Sequence, residues 1–150
     1  MRIRNYRPSD LHTLYKIDQT CFPPGIAYPM SELVHFITQR GSRTWVAEDG
    51  DDIIGFLIAI LEAEDTAHIV TIDVVASSRR KGVGRALMDA AENWAEKKRV
   101  KILYLETAED NFIAQRFYQA RGYLQVERID GYYSNGGAAW VMAKVMNREQ

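Results

Sequence analysis

The chain has 150 residues, and 47% of them are hydrophobic, which is enough to form the core of a single domain. Its 19 Lys and Arg residues nearly balance 20 Asp and Glu residues, so the net charge of −1 excludes a broadly basic nucleic-acid-binding surface. The single cysteine excludes an internal disulfide framework, and no apolar run is long enough to span a membrane. We therefore expect one cytoplasmic domain over residues 1–150, monomeric or homodimeric, that binds neither nucleic acid nor membrane.

Hydrophobic periodicity divides the chain into seven strands and four helices. Strands are predicted where apolar residues alternate or run continuously, and helices where they recur three or four residues apart. A tight turn at residues 49–52 predicts that strands 2 and 3 form an antiparallel hairpin, whereas strand 4, helix 3 and strand 5 predict a parallel pair with a right-handed crossover. The predicted strands are 1–8, 44–48, 53–62, 68–75, 102–107, 123–129 and 138–146, and the predicted helices start at Ser9, Ser31, Val83 and Asn111, with both serines as N-caps.

A proline-rich loop separates the first two predicted helices. Residues 21–29 contain three prolines and a glycine, together with the aromatic residues Phe22 and Tyr28. Such a loop is normally a packed surface segment, but it can also form one wall of a substrate cleft. Phe22 and Tyr28 are therefore candidate substrate-binding residues.

A basic, glycine-containing loop links the fourth strand to the third helix. The N-terminus of a helix has free N–H groups and a partial positive charge, so it binds phosphate well. Glycines remove the Cβ atoms that would keep an anion from those amides, and adjacent cations add charge. An anion site is predicted, although a basic helix-capping turn has the same composition. The residues concerned are Arg79, Arg80, Lys81, Gly82, Val83 and Gly84.

Two motifs resemble those of the GNAT superfamily of N-acetyltransferases, and the element order resembles that fold over essentially the whole chain. The first is the pyrophosphate-binding pattern Arg79-x-x-Gly82-x-Gly84. The second is Asn111-x-x-Ala114-x-x-x-Tyr118-x-x-x-Gly122-Tyr123. The resemblance implies an α+β three-layer sandwich, with a mixed central sheet of about seven strands, about four helices, and parallel strands 4 and 5 that splay apart.

The resemblance also implies acetyl-CoA as cosubstrate and no metal. In that family, the pantetheine arm lies between the two splayed strands, where its amides bond to backbone groups that have no strand partner. Carried over to this chain, Ile72 and Val74 would supply such backbone bonds, residues 79–84 would bind the pyrophosphate, and Asn111 would contact the arm.

Acetyl transfer to an amine needs a base for the amine, stabilisation of the oxyanion and a proton for the leaving thiolate. Glu106, at the end of strand 5, is the candidate base and matches the glutamate of the family's Leu-Glu-Val segment; pairing with an arginine or helix capping is the structural alternative. Tyr118 matches the family's general acid, and His68 lies where relatives carry a catalytic or substrate-facing Tyr or His. A core aromatic and a structural histidine are the alternatives for these two. Cys21 has no visible partner as a nucleophile.

A third motif bears on the acceptor. Gly131-Tyr132-Tyr133, followed by Trp140-Val141-Met142-Ala143, is similar to the branch that acetylates protein N-termini, which includes ribosomal-protein alanine acetyltransferases and archaeal relatives. The similarity implies that Tyr132 and Tyr133 bind a peptide N-terminus, although they could form only a hairpin tip. The archaeal-type pattern has acidic residues after the two tyrosines, where this chain has Gly136-Gly137-Ala138-Ala139.

We therefore expect acetyl transfer to the α-amine of a protein or peptide by direct attack. A small amine, such as a polyamine, an amino acid or an aminoglycoside, is the alternative acceptor. A non-catalytic sensor of acyl-CoA is a third hypothesis, and the joint presence of Glu106 and Tyr118 argues against it.

Overall fold

The computed structural model describes residues 1–146 and contains seven strands and four α-helices within them. Short 3-10 turns at Pro8–Asp10 and Ala76–Ser78 precede α1 and α3. The strands are β1 (Arg2–Asn5), β2 (Ser42–Asp49), β3 (Asp52–Ala63), β4 (Thr66–Val74), β5 (Ile102–Ala108), β6 (Leu124–Ile129) and β7 (Ala139–Val145). The helices are α1 (Leu11–Cys21), α2 (Met30–Thr38), α3 (Val83–Lys97) and α4 (Phe112–Ala120).

All seven strands belong to one mixed sheet with the order β1-β2-β3-β4-β5-β7-β6. Every neighbouring pair is antiparallel except β4 and β5, which are parallel because helix α3 carries the chain back between them. The predicted hairpin between β2 and β3 and the predicted parallel pair are both confirmed.

Separate hydrophobic cores cover the two faces of the sheet. Helices α3 and α4 pack on one face, where the apolar stripe of α3 (Val83, Leu87, Ala91) is buried against Leu57 and Leu103. Helices α1 and α2 pack on the other face against a second cluster of buried residues. The three-layer α+β architecture expected from the resemblance is therefore confirmed.

The parallel strands β4 and β5 pair over only three residues each. Thr66, Ala67 and His68 pair with Ile102, Leu103 and Tyr104, and the pairing ends there. Beyond that point, β4 follows β3 to Val74, and β5 follows β7 to Ala108. The two strands therefore diverge towards their C-terminal ends, as predicted, and open a gap in the centre of the sheet.

Two predicted helix caps are wrong and two other cap predictions are confirmed. Asp10 is the N-cap of α1, while Ser9 lies within the preceding 3-10 turn, because the Asp10 carboxylate is held by Arg4 and by the Arg7 N–H. Ser31 lies in the first turn of α2, whose N-cap is Pro29. By contrast, Asn111 caps α4 through its side chain, and Gly122 follows that helix with φ +98°.

Candidate active site

The loop after β4 presents the N-terminus of a long helix. Gly82 is the N-cap of α3 and has φ +82°, a left-handed conformation that favours glycine. Arg80 also has a positive φ, of 65°. The three cations predicted to surround this loop, Arg79, Arg80 and Lys81, are exposed. The loop therefore has the shape and charge of an anion site, although one cation has an additional role.

Arg79 is hydrogen-bonded to Val74, the last residue of β4. Its Nε donates to the Val74 carbonyl oxygen at 2.9 Å, and its Nη2 lies 3.6 Å from the Cys21 sulfur. The Cys21 thiol also contacts the Val74 carbonyl oxygen, at 3.5 Å, and burial raises the pKa of this thiol. Cys21 thus has neighbours in the tertiary structure, but a thiol with a raised pKa is a weak nucleophile.

His68 and Glu106 come together at the point where β4 and β5 separate. His68 belongs to the last residue pair of the two strands, and Glu106 is two residues beyond its partner Tyr104 on the same face of β5. The His68 Nε2 atom lies 2.7 Å from Glu106 Oε1, and the two side chains are only 15% and 13% exposed. Glu106 therefore pairs with a histidine, and it neither pairs with an arginine nor caps a helix, the two structural roles considered from the sequence.

Three tyrosines lie near enough to the Glu106 carboxylate to interact with its charge. Burial, followed by the charge and a hydrogen bond of Glu106, raises the pKa of Tyr132 to about 12. Burial also raises the pKa of Tyr28 and of Tyr133, with further contributions from Tyr132 and Glu106. The Tyr28 hydroxyl donates to the Val70 carbonyl oxygen at 3.3 Å, and the Tyr132 and Tyr133 rings meet edge to face at 4.9 Å. All three phenols thus remain protonated hydrogen-bond donors at neutral pH.

The two loops that carry these tyrosines are joined. The Gly25 carbonyl oxygen, in the α1–α2 loop, accepts hydrogen bonds from the Ser134 N–H at 3.2 Å and from its hydroxyl at 3.0 Å. Gly25 has φ +90°, and a Cβ atom there would lie 2.6 Å from that of Asn135, so only glycine fits. We call these two joined loops the acceptor roof: residues 22–29 between α1 and α2, and residues 130–138 between β6 and β7. Phe22 belongs to the same loop as Gly25 and is half-buried at the end of α1.

Tyr118 lies on α4, across the sheet from α1 and α2, and Asn111 is the N-cap of that helix. Burial raises the pKa of the Tyr118 phenol, and the charges of Asp73 and Tyr133 contribute. The Tyr118 ring packs edge to face against the rings of Phe117 and Tyr123 in the core on this face of the sheet. The Asn111 Oδ1 atom accepts from the Ala114 N–H at 3.2 Å, so this side chain has a structural role whether or not it also binds a ligand.

Two buried aspartates, which sequence reasoning missed, link β4 to the acceptor roof. Asp73 is 1% exposed and Asp18 is fully buried. Asp73 Oδ1 accepts from the Thr71 hydroxyl, and Asp18 Oδ2 accepts from the Tyr28 N–H at 2.7 Å. Burial and the neighbouring Asp18 raise the pKa of the Asp73 carboxyl well above its usual range, which favours its protonated form. Asp73 Oδ2 and Asp18 Oδ1 are buried and have no hydrogen-bond partner among the described residues. The sequence feature that could have indicated this site was Asp73 itself, a carboxylate within a largely apolar strand.

Replacing Asp73 with asparagine is expected to flatten the pH dependence of stability. Unfolded Asp73 titrates near 3.8 and folded Asp73 at a higher pH, so between these values the folded chain binds more protons, and the free energy of unfolding falls as pH rises. That loss is about 1.4 kcal/mol per pH unit. Asparagine can donate to Asp18 without titrating. Urea unfolding at a series of pH values above 3.8 should show the asparagine variant gaining stability relative to the wild type as pH rises.

Asp10→Asn is the matched control for that experiment. The Arg4 guanidinium lowers the pKa of Asp10, so this carboxylate stabilises the fold above its unfolded pKa and loses that effect as pH falls. The Asp10 variant should therefore be less stable than the wild type by a nearly constant amount above that pKa, so its pH curve should run parallel to the wild-type curve over the pH range used for Asp73. Parallel pH curves for the Asp73 variant and the wild type would show that Asp73 is ionised in the folded protein.

The described residues contain neither a candidate metal site nor a helix that could span a membrane. Among residues 1–146, no group of three or more His, Cys, Asp or Glu side chains is placed to hold a metal ion. Over the same residues, no helix has both the length and the apolar character needed to cross a membrane.

Comparisons with known proteins agree with this geometry. Residues 11–123 match the family described as Acetyltransferase (GNAT) family. An N-alpha-acetyltransferase of Sulfurisphaera tokodaii is 28% identical over 154 positions, covering 95% of this chain and 91% of the relative. Ard1 from Thermoplasma volcanium has a TM-score of 0.87 with 26% identity, covering 98% of both chains.

Two further solved structures share the fold. Chaetomium thermophilum Naa20, in complex with a bisubstrate analogue, has a TM-score of 0.86 with 26% identity, covering 99% of this chain and 88% of that protein. The ribosomal-protein-S18-alanine N-acetyltransferase from Escherichia coli has a TM-score of 0.86 with 23% identity, covering 99% and 96% of the two chains.

The split parallel strands, the glycine-containing helix start and the family match together define an acyltransferase fold. The chain belongs to the GNAT family of acetyltransferases. The expected family, fold and enzyme class are thereby confirmed.

Proposed function

We propose that this protein transfers an acetyl group from acetyl-CoA to the α-amine of a protein or peptide N-terminus. The observation that carries the proposal is the gap between β4 and β5, which has the paired His68 and Glu106 at its base and the acceptor roof above it. The similarity to N-alpha-acetyltransferases supports the choice of acceptor.

The edge of β4 that faces the gap fits the arm of coenzyme A. The Val75 N–H donates to the Ile54 carbonyl oxygen of the β3 side, so the N–H groups of Val74 and Ile72 point to the opposite side, where β5 has diverged. These groups and residues 79–84 would hold acetyl-CoA, which supplies an activated acetyl thioester. Asn111, at the start of α4, would contact the same arm.

Glu106 acts as the base in this proposal, with His68 as its partner. The carboxylate accepts a proton from the amine, and the histidine orients the carboxylate and assists it. Tyr118, which stays protonated at neutral pH, donates a proton to the departing sulfur from the opposite face of the sheet. The amine attacks directly, without a covalent enzyme intermediate.

The acceptor roof favours a peptide. Tyr28, Tyr132 and Tyr133 offer three phenol groups to a chain that enters beside Glu106, and Phe22 lies on the same loop as Tyr28. A phenol hydroxyl has one proton to donate and an oxygen that accepts, so Tyr28, which donates to Val70, would accept from a peptide N–H, whereas Tyr133 would donate to a peptide carbonyl oxygen. One observation favours a polyamine instead, namely that the carboxylates of Glu62 and Glu106 flank His68.

A panel of acceptors tests the choice. Peptides with free N-termini, the same peptides with blocked N-termini, spermidine and free amino acids would be compared by coenzyme A release. We expect kcat/KM for free N-terminal peptides to exceed that for every small amine by at least about 100-fold, because small amines lack the peptide backbone that the roof is proposed to bind. Equal or higher kcat/KM with spermidine would show that the acceptor is a small amine and not a peptide N-terminus. Turnover of blocked peptides would indicate side-chain amines as acceptors.

A further inference from the structure

A line of polar contacts runs from the base of the gap to the surface. Glu106 contacts His68 Nε2, and on the other side of the imidazole His68 Nδ1 lies 3.6 Å from Glu62 Oε2. The Tyr104 hydroxyl donates to the other oxygen of the Glu62 carboxylate. The exposed fraction of the side chain rises from 13% at Glu106 and 15% at His68 to 41% at Glu62. The line therefore begins in the buried site and ends in solvent.

The strand register brings these groups onto one face of the sheet. His68 lies opposite Ile60 of β3 and opposite Tyr104 of β5. Glu62 is two residues beyond Ile60, at a register shift between Leu61 and Ala63 where it has no residue opposite it. The bulge leaves this carboxylate free to turn toward the histidine.

Tyr104 fixes two members of the line at once. Its ring stacks on the His68 imidazole, with centroids 4.6 Å apart and planes 12° apart, while its hydroxyl holds Glu62. The imidazole plane is thus set with one nitrogen toward each carboxylate. The 3.6 Å between Nδ1 and Oε2 is longer than a hydrogen bond, so the half-exposed Glu62 side chain must rotate for a proton to pass between them.

The reaction under Proposed function, on which this inference rests, must release a proton. A protonated amine and a thioester give an amide, a thiol and one proton per turnover, and the Glu106 side chain that takes up the proton is only 13% exposed. The titratable groups that face His68 and Glu106 are Glu62, Tyr104 and the phenols of Tyr28, Tyr132 and Tyr133. All four phenols have raised pKa values, which leaves Glu62 as the acceptor nearest to solvent.

We propose that Glu62 is the outer member of a proton path, so that the proton taken from the amine leaves through Glu106, His68 and Glu62. The amine N–H bond breaks, and the proton passes from Glu106 to His68 Nε2. His68 then gives its Nδ1 proton to Glu62 Oε2, from which it passes to water, and the imidazole, left with its proton on Nε2, returns to the Nδ1–H tautomer before the next turnover. No electrons are transferred to or from an external group, and each carboxylate regains its charge after every turnover.

Glu62→Gln tests the path. Glutamine can still accept the Tyr104 hydrogen bond but cannot take up a proton. We expect kcat to fall about tenfold in dilute buffer, with KM for acetyl-CoA unchanged, because proton release becomes limiting. Rising concentrations of imidazole or another small buffer should restore at least half of the rate, because an external base can replace the missing carboxylate.

Glu64→Gln is the matched control. It removes the same charge from the exposed turn between β3 and β4, and it should behave as the wild type in dilute and concentrated buffer. Wild-type kcat for Glu62→Gln in dilute buffer would overturn the inference, as would a loss that no buffer restores, which would indicate a structural role. The assay uses the acceptor on which the wild type turns over fastest. Absence of wild-type turnover on every acceptor would instead refute the proposed function.

Discussion

Replacing Gly84 with aspartate is expected to abolish coenzyme A binding while leaving the protein folded. Gly84 lies in the first turn of α3, where a Cβ atom would make only ordinary contacts, 3.5 Å from the Phe117 ring and 4.0 Å from Val74. A carboxylate in the first turn suits the helix dipole, so the fold should tolerate it. The same charge would repel the pyrophosphate proposed to bind there, and a loss of at least about 100-fold in affinity is expected, measured by titration calorimetry with coenzyme A.

Gly84→Ala separates the effect of the added charge on coenzyme A affinity from the effect of the added volume. Alanine adds the Cβ atom at the same place without the carboxylate, so its affinity for coenzyme A should stay within about fivefold of the wild type. Thermal unfolding should show both variants folded. If the aspartate variant binds coenzyme A as tightly as the wild type, the pyrophosphate does not bind at the start of α3; if alanine loses as much affinity as aspartate, the cause is steric.

Replacing Glu106 with glutamine is expected to reduce kcat/KM for the acceptor by about 100- to 10,000-fold, the range for loss of a general base. Glutamine retains the shape of the side chain and a hydrogen bond to His68, but it cannot accept the proton of the amine. The loss should be greatest below about pH 8, where an α-amine is mostly protonated, and should shrink at higher pH. Initial rates across this pH range, with saturating acetyl-CoA, measure the effect.

Glu109→Gln provides the control for Glu106. This carboxylate is close in sequence but half-exposed, and it pairs with Arg128 on the surface. Its removal should change kcat/KM by less than about twofold, because exposed ion pairs contribute little. A Glu106 variant with a pH profile of the same shape as the wild-type profile would refute the role of Glu106 as base.

Local sequence patterns predicted most elements within two residues. The long apolar run of β3, the stripe of α3 and the glycine after α4 each report a local preference, and Gly122 does adopt the expected positive φ. The two serine caps were wrong for a tertiary reason, at least at α1. Asp10 is held by Arg4, which β1 brings to it, and this contact outcompetes the local preference of Ser9.

The candidate site was predicted as separate residues rather than as an arrangement. Glu106, His68, Tyr118 and the loop at residues 79–84 came from motifs and from family resemblance. Their roles remain predictions. Nothing in the spacing of the motifs indicated that His68 and Glu106 are in contact, since residues 38 apart meet only through the register of two parallel strands.

The sequence by itself determined the type and order of the elements, because strand and helix periods, turns and glycines are local properties. The tertiary structure alone decided which side chains share a proton or a hydrogen bond. The short pairing of β4 with β5 placed Glu106 beside His68, the bulge in β3 brought Glu62 near the same imidazole, and burial beside Asp18 raised the pKa of Asp73. Strand register and burial are properties of the folded chain, so no local pattern contains them.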